Sequence, residues 1–147
     1  MCYNKKKVCE KMRLRLLEYV HENLPRGFSP YWIYQIIVDD DIVGSIVLRE
    51  GTIQERYYDG HIGYHIEEEY RGHHYAYEAC LLLKDIIPID QVIITCDPQN
   101  IASLKTIKKL GAEFLETKTI PTSLKKMFSQ NEKVKNIYLW KVKGGEL

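Results

Sequence analysis

The segment GHIGYHIEEEYRGHHYA, residues 60–76, constrains this chain more than any other. His61 to Ile66 reads as a strand that starts after Gly60, and Glu67 to Gly72 as a charged turn. Tyr75 to Ile87 then reads as a helix, with Ala76, Ala79, Cys80 and Leu83 on one face and Pro88 ending it. The first backbone N–H groups of such a helix have no partners within it and point along its axis. Together with the helix dipole they make an anion site, suited to a pyrophosphate. Arg71 adds a positive charge at the mouth of that site, which needs neither a metal nor a Walker lysine.

The rest of the chain frames this segment. Val8, Met12, Leu16, Val20 and Leu24 recur at four-residue steps, so residues 4–24 are expected to form a helix, ended by Pro25 and Gly27. Lys5, Lys6, Lys7, Lys11, Arg13 and Arg15 make its other faces basic, a solvated surface or a contact for an acidic partner. Tyr31 to Val38 and Ile42 to Leu48 read as a hairpin turning at Asp39–Asp41. Residues 50–59 read as a loop. Gln91 to Cys96 has the apolar run of a buried strand. A turn at 97–100 leads into a helix ending at Leu110, with Ile101, Leu104, Ile107 and Leu110 inward and Gly111 as its C-cap. Ala112 to Thr119 and Val134 to Val142 read as a final antiparallel pair around a loop at 120–133.

Composition narrows the class. The 147 residues are read as one domain, 1–147, and a content of 45% hydrophobic and 28% charged residues excludes disorder. A net charge of +1 argues against a nucleic-acid partner, and no apolar run approaches the roughly 18 residues of a membrane span. Residues 1–7 lack the apolar core of a secretory signal, so the cytoplasm is the expected location. Cys80 and Cys96 sit in apolar runs and read as buried thiols rather than a disulfide. Tyrosines number 11 against 3 phenylalanines, and Tyr57, Tyr58, Tyr64, Tyr70, Tyr75 and Tyr77 cluster on the segment above. They read as packing residues or as a cleft lining.

Two motifs in register carry a resemblance. Arg71-Gly72-His73-His74-Tyr75-Ala76 resembles the acetyl-CoA signature Arg/Gln-x-x-Gly-x-Gly/Ala of the GCN5-related N-acetyltransferases (GNAT). Asn100-Ile-Ala-Ser103, followed by Lys109-Leu110-Gly111, resembles the Asn-x-x-Ser/Ala…Leu-Gly segment of the same superfamily. Residues 60–64 and 93–103 resemble, more narrowly, a bacterial subgroup of uncharacterised acetyltransferases. The resemblance implies an α/β (α+β) GNAT fold: a single mixed, mostly antiparallel central sheet, flanked by helices. Strands 61–66 and 91–96 would splay in it. The pantetheine arm of acetyl-CoA would enter the gap and pair with the backbone of Ile66 and Glu67. The amides of Arg71, Gly72, His73, His74, Tyr75 and Ala76 would hold the pyrophosphate. Asn100 would sit by the pantetheine and Ser103 near the thioester sulfur.

The implied reaction is acetyl transfer from acetyl-CoA to a primary amine, of a small molecule or a peptide, by direct attack in a ternary complex. The alternative is a non-catalytic acyl-CoA-binding or regulatory module on the same fold. A homodimer is a further expectation from the family. The chain departs from the pattern twice. His74 stands where the signature has its central Gly, and Ile107 where many members have a Tyr that protonates the leaving thiolate. Ser103, Tyr64 and Tyr75 remain as proton donors. An amine with pKa about 10 needs a base, and Glu67, Glu68, Glu69, His61 and His65 are the candidates, with His61 and Glu67 preferred. Strand alternation puts His61 and His65 on one face and Ile62 and Tyr64 on the other. No metal is expected, because an i,i+4 pair on a strand lies about 13 Å apart.

Overall fold

Residues 11–143 are described by the structure, a computed structural model. Tyr31–Val38 (β2) and Asp41–Arg49 (β3) form the expected hairpin, with Val38 opposite Asp41. Asp39 and Asp40 turn the chain with φ of 49° and 75°. That is the left-handed pair a tight hairpin needs and Asp tolerates. Ile62–Ile66 (β4) runs antiparallel to β3 on its other side.

The expected helix at 4–24 is a strand where it is described. Met12–Val20 (β1) pairs antiparallel with β2, from Met12 opposite Val38 to Val20 opposite Tyr31. Residues 4–10 lie outside the described residues. A four-residue apolar step is also a multiple of two, so it fits a strand equally well. The stricter signal was the alternation Met12-Arg13-Leu14-Arg15, in which Met12 and Leu14 are half-buried and both arginines exposed. A register shift between Leu16 and Glu18 then breaks the alternation and hides the pattern.

Gln91–Cys96 (β5), Glu113–Thr119 (β6) and Val134–Lys141 (β7) form a second sheet in the order β5-β7-β6, with both pairings antiparallel. A 3-10 turn, Thr122–Met127, interrupts the connection from β6 to β7. The four strands β1-β2-β3-β4 make the first sheet. The expected single sheet therefore divides between β4 and β5. Among the described residues these edges are linked just before β4, where His61 donates its backbone N–H to the Ile93 carbonyl at 2.8 Å, the Ile93 amide donates to His61 Nδ1 at 2.9 Å, and Thr95 Oγ1 donates to the Tyr58 carbonyl at 3.1 Å.

Tyr75–Lys84 (α1) and Ile101–Leu110 (α2) pack on each other and close over this division. The core runs through both sheets under α1: Ile36, Val43 and Ile46 of the first sheet meet Ala79, Cys80 and Leu83, and Val92 and Ile94 of the second. Cys80 and Cys96 are buried free thiols, and burial pushes the Cys80 thiol up to about 12. Gly111 caps α2 with φ 80°, as expected. Ile101, expected to face inward, is 57% exposed, and Ser103 takes a buried place instead. Among the described residues no helix is long and apolar enough to cross a membrane.

Candidate active site

A cavity of about 490 Å³ lies between β4 and the two helices. Tyr64, His65 and Ile66 line it from β4. Tyr70, Arg71, Gly72, His74, Tyr75, Ala76 and Tyr77 line it from the following turn and α1. Asn100, Ala102, Ser103, Lys105, Thr106 and Lys109 line it from α2. Three fixed cations therefore face it, and none of its lining residues is Asp or Glu. In a chain of net charge +1 this is a local concentration of positive potential.

The start of α1 carries no side-chain cap. Its N-cap, His74, has a left-handed backbone (φ 64°) and offers no side-chain hydrogen bond to the helix. A non-glycine residue pays roughly 1–2 kcal/mol for that conformation. Gly72 precedes it at φ 90°, and a Cβ there would meet nothing within 4 Å. The first bond of the helix is Glu78 N–H to the His74 carbonyl at 3.1 Å. The amides of its first turn lie outside the helix ladder and border the cavity. His73 points elsewhere: its ring stacks on Tyr75 at a centroid distance of 5.2 Å.

The start of α2 is closed by contrast. Asn100 Oδ1 accepts from the Ser103 amide at 3.1 Å, an ordinary N-cap. Ser103 is 8% exposed, and its hydroxyl lies 2.8 Å from the Tyr64 hydroxyl. A hydroxyl pair thus joins β4 to α2 at the inner end of the cavity. Burial raises the Tyr64 pKa far above its ordinary value, so the phenol keeps its proton.

Register decides which backbone groups of β4 face the cavity. His61 C=O accepts from Arg49 N–H at 2.7 Å, and Glu67 N–H donates to the Val43 carbonyl at 2.9 Å. Both groups point to β3. Bonding sides alternate along an antiparallel strand, so Ile62, Tyr64 and Ile66 turn their backbone N–H and C=O toward the division. Ile66 stands where the sequence placed it, and Arg71 Nε donates to its carbonyl at 2.8 Å. Glu67 does not: its amide is spent on β3. Its carboxylate lies 3.8 Å from Nε2 of His65, a cavity-lining residue, with both side chains more than half exposed.

Residues 4–113 match the family described as acetyltransferase (GNAT) domain. The chain belongs to the GNAT family. A comparison with curated protein sequences finds no match. Among solved structures, the chain is similar to the microcin C7 self-immunity acetyltransferase MccE in complex with acetyl-CoA and AMP. That likeness is 19% identical, covers 76% of this chain and 61% of MccE, and has a TM-score of 0.60. RimL, a ribosomal L7/L12 alpha-N-protein acetyltransferase in complex with coenzyme A, is 16% identical over 79% of this chain and 63% of its own, with a TM-score of 0.60. A GNAT-family acetyltransferase from Bacillus anthracis is 24% identical over 75% of this chain and 66% of its own, with a TM-score of 0.58. The chain spans less than two thirds of the length of MccE and RimL.

The residue at the position of the GNAT tyrosine and one of the two bases preferred from sequence both lie away from the cavity lining. Ile107, at the position of the family's tyrosine, is fully buried in the core and presents no proton. His61, preferred from sequence as a base, does not reach the cavity. It is 1% exposed, its Nδ1 accepts from the Ile93 amide at 2.9 Å, and its Nε2 donates to the Gly51 carbonyl at 2.9 Å. No ring nitrogen is left to take a substrate proton. The predicted alternation fails at this residue, because its N–H points to β5 while its C=O points to β3.

The sequence reading missed Lys105, Thr106 and Lys109 of this GNAT cavity. Their signal was present, since 102, 105, 106 and 109 recur at helical spacing after Asn100. Lys109 Nζ also sits 4.5 Å from the Tyr77 ring centroid. Four of the six clustered tyrosines line the cavity. Tyr57 and Tyr58 do not: they pack edge to face, and the Tyr57 hydroxyl donates to Glu116.

Proposed function

We propose that this chain binds acetyl-CoA in the cavity and transfers its acetyl group to an amine. The observation that carries the reading is a cavity free of carboxylates, with three cations around the uncapped start of α1. Such a lining suits a pyrophosphate and its neighbouring phosphate. The amides of residues 72–76 would hold the pyrophosphate, with Arg71, Lys105 and Lys109 around it. Tyr64 and Ile66 would offer backbone groups to the pantetheine as an added strand. Asn100 fixes the start of α2, and Ser103 would then stand near the thioester sulfur.

The amine attacks the thioester carbonyl, the C–N bond forms and the C–S bond breaks. A thiolate of pKa about 8.5 leaves tolerably without help. Tyr64, acting with Ser103, keeps its proton and donates a hydrogen bond to the departing thiolate, which takes its proton from water; a donor aimed at developing charge is worth roughly 10–100-fold or more. Glu67, with His65 beside it, takes the proton from the ammonium at the rim. The acceptor is an amine of a small molecule or a peptide. RimL, by its name, acts on the alpha-amine of a protein, and MccE was solved with AMP beside acetyl-CoA.

Isothermal titration with acetyl-CoA and CoA, paired with thiol release across an amine panel, tests this reading. Absence of binding would end it. A non-catalytic acyl-CoA module is the second reading, favoured by the burial of Ile107. Tight binding without thiol release for any amine would establish that one instead.

A further inference from the structure

His61 is a buried titratable group that the proposed reaction leaves unused, and its position gives it another task. β4 and β5 are the facing edges of two separate sheets. Where they touch, one backbone bond runs from His61 N–H to the Ile93 carbonyl, and the return bond is made by a side chain. The Ile93 amide donates to His61 Nδ1 at 2.9 Å, where a neighbouring strand would supply a carbonyl. The other ring nitrogen is tied to the Gly51 carbonyl at 2.9 Å. A donor at Ile93 requires a bare Nδ1, so the hydrogen sits on Nε2 and the ring is neutral. Gly60 lets the chain come this close: a Cβ there would lie 3.2 Å from the Ile93 carbonyl and 3.3 Å from the Thr95 amide.

We infer that His61 is the positioning residue that clasps β4 to β5 at the apex of the cleft and thereby sets how far the two edges stand apart. The clasp is a statement about the fold alone. Its consequence for cofactor affinity rests on the function proposed above. An imidazole accepting from Ile93 holds that end of the cleft shut, so Tyr64 and Ile66, next along β4, diverge from β5 by a fixed amount. Protonation would put a second N–H against the Ile93 amide and break the clasp. The charged groups facing the ring are Arg49 of β3 and Arg56 and Asp59 of the preceding connection, while Val92, Ile93 and Ile94 opposite carry no charge. Burial, reinforced by the two arginines, keeps the imidazole below its ordinary pKa, with the Gly51 carbonyl and Asp59 opposing. The contribution of the neutral ring to stability is therefore complete above about pH 6.5 and is lost as pH falls below that.

Three substitutions separate the two ring nitrogens. In His61→Asn the side-chain oxygen stands near the place of Nδ1 and can accept from Ile93. His61→Gln reaches toward Gly51 instead, and His61→Leu reaches neither. Amide exchange of Ile93 by NMR reads the clasp directly, and titration with CoA reads its consequence. Ile93 is expected to stay protected in wild type and in His61→Asn, and to exchange at least about tenfold faster in the other two. CoA affinity should follow the same order, about tenfold weaker in His61→Gln and His61→Leu, and within about threefold of wild type in His61→Asn. As pH falls below the ordinary imidazole range wild type should lose this protection, and His61→Asn should keep it. Equal Ile93 exchange in the Asn and Leu variants would overturn the clasp, as would a wild-type Ile93 amide that exchanges freely at pH 7.5. Protected Ile93 together with equal CoA affinity in all three variants would overturn its role in the cleft. If wild type bound no CoA while Ile93 stayed protected, the proposed function would fail and the clasp would stand.

Discussion

The two helices that border the cavity begin in opposite ways. α2 starts with Asn100, whose carboxamide satisfies the Ser103 amide. α1 starts with His74, left-handed and without a side-chain cap. One start is capped by a side chain of the chain itself, while the other carries no side-chain cap. The capped start positions side chains, Ser103 and through it Tyr64. The uncapped start borders the cavity that Arg71, Lys105 and Lys109 also line. The same local feature, a helix N-terminus, thus serves as a rigid mount in one place and, in the function proposed above, would receive an anion in the other.

Breaking the open start should have the largest effect. In the double variant Arg71→Glu/Lys109→Glu, CoA affinity should fall by about 100-fold or more, since each charge-assisted contact is worth roughly 1.5–3 kcal/mol. Titration calorimetry reads this, with unchanged circular dichroism as the control. Next comes the chemistry mounted on the closed start. Tyr64→Phe should lower kcat by about 10–100-fold and leave CoA affinity within about threefold. Because burial holds the Tyr64 phenol far above its usual value, the wild-type rate should show no downward limb from this residue up to about pH 9.

Two smaller changes sharpen the contrast between the helix starts. Asn100→Ala removes a real cap and should cost about 1 kcal/mol, a drop of roughly 2–8 °C in Tm. His74→Gly removes no cap. It should relieve the left-handed backbone, raise stability by about 0.5–1 kcal/mol and leave CoA affinity the same or slightly better. Thermal unfolding of both variants, followed with and without CoA, checks the pair. Equal losses in the two would mean that the starts do not differ in the way described.

Much of this division of labour could be read in the residues. Gln91–Cys96 was found to the residue because a short, unbroken apolar run between turn signals has few other readings. The hairpin at Asp39–Asp41 and the cap at Gly111 were found because left-handed turns demand particular residues. Arg71, Gly72, His74 and Asn100 came to the cavity as the motifs implied. What failed has a common cause. Strand or helix at 12–20, the side on which the Glu67 amide bonds, and the burial of His61 all depend on partners distant in the chain. Periodicity could not decide the first. Register with β3 decided the second, and β5 decided the third. Lys105 and Lys109 were legible in principle, as one face of α2, but only once that face was known to look into a cavity.

The central claim is that the open start of α1 and its three cations hold the phosphates of CoA. Calorimetric titration with CoA at about 50 and 500 mM salt tests it most directly. The account predicts one site per chain, weakened severalfold or more by the added salt and nearly abolished in Arg71→Glu/Lys109→Glu. No binding to the wild-type chain, or binding that neither salt nor charge reversal alters, would contradict it.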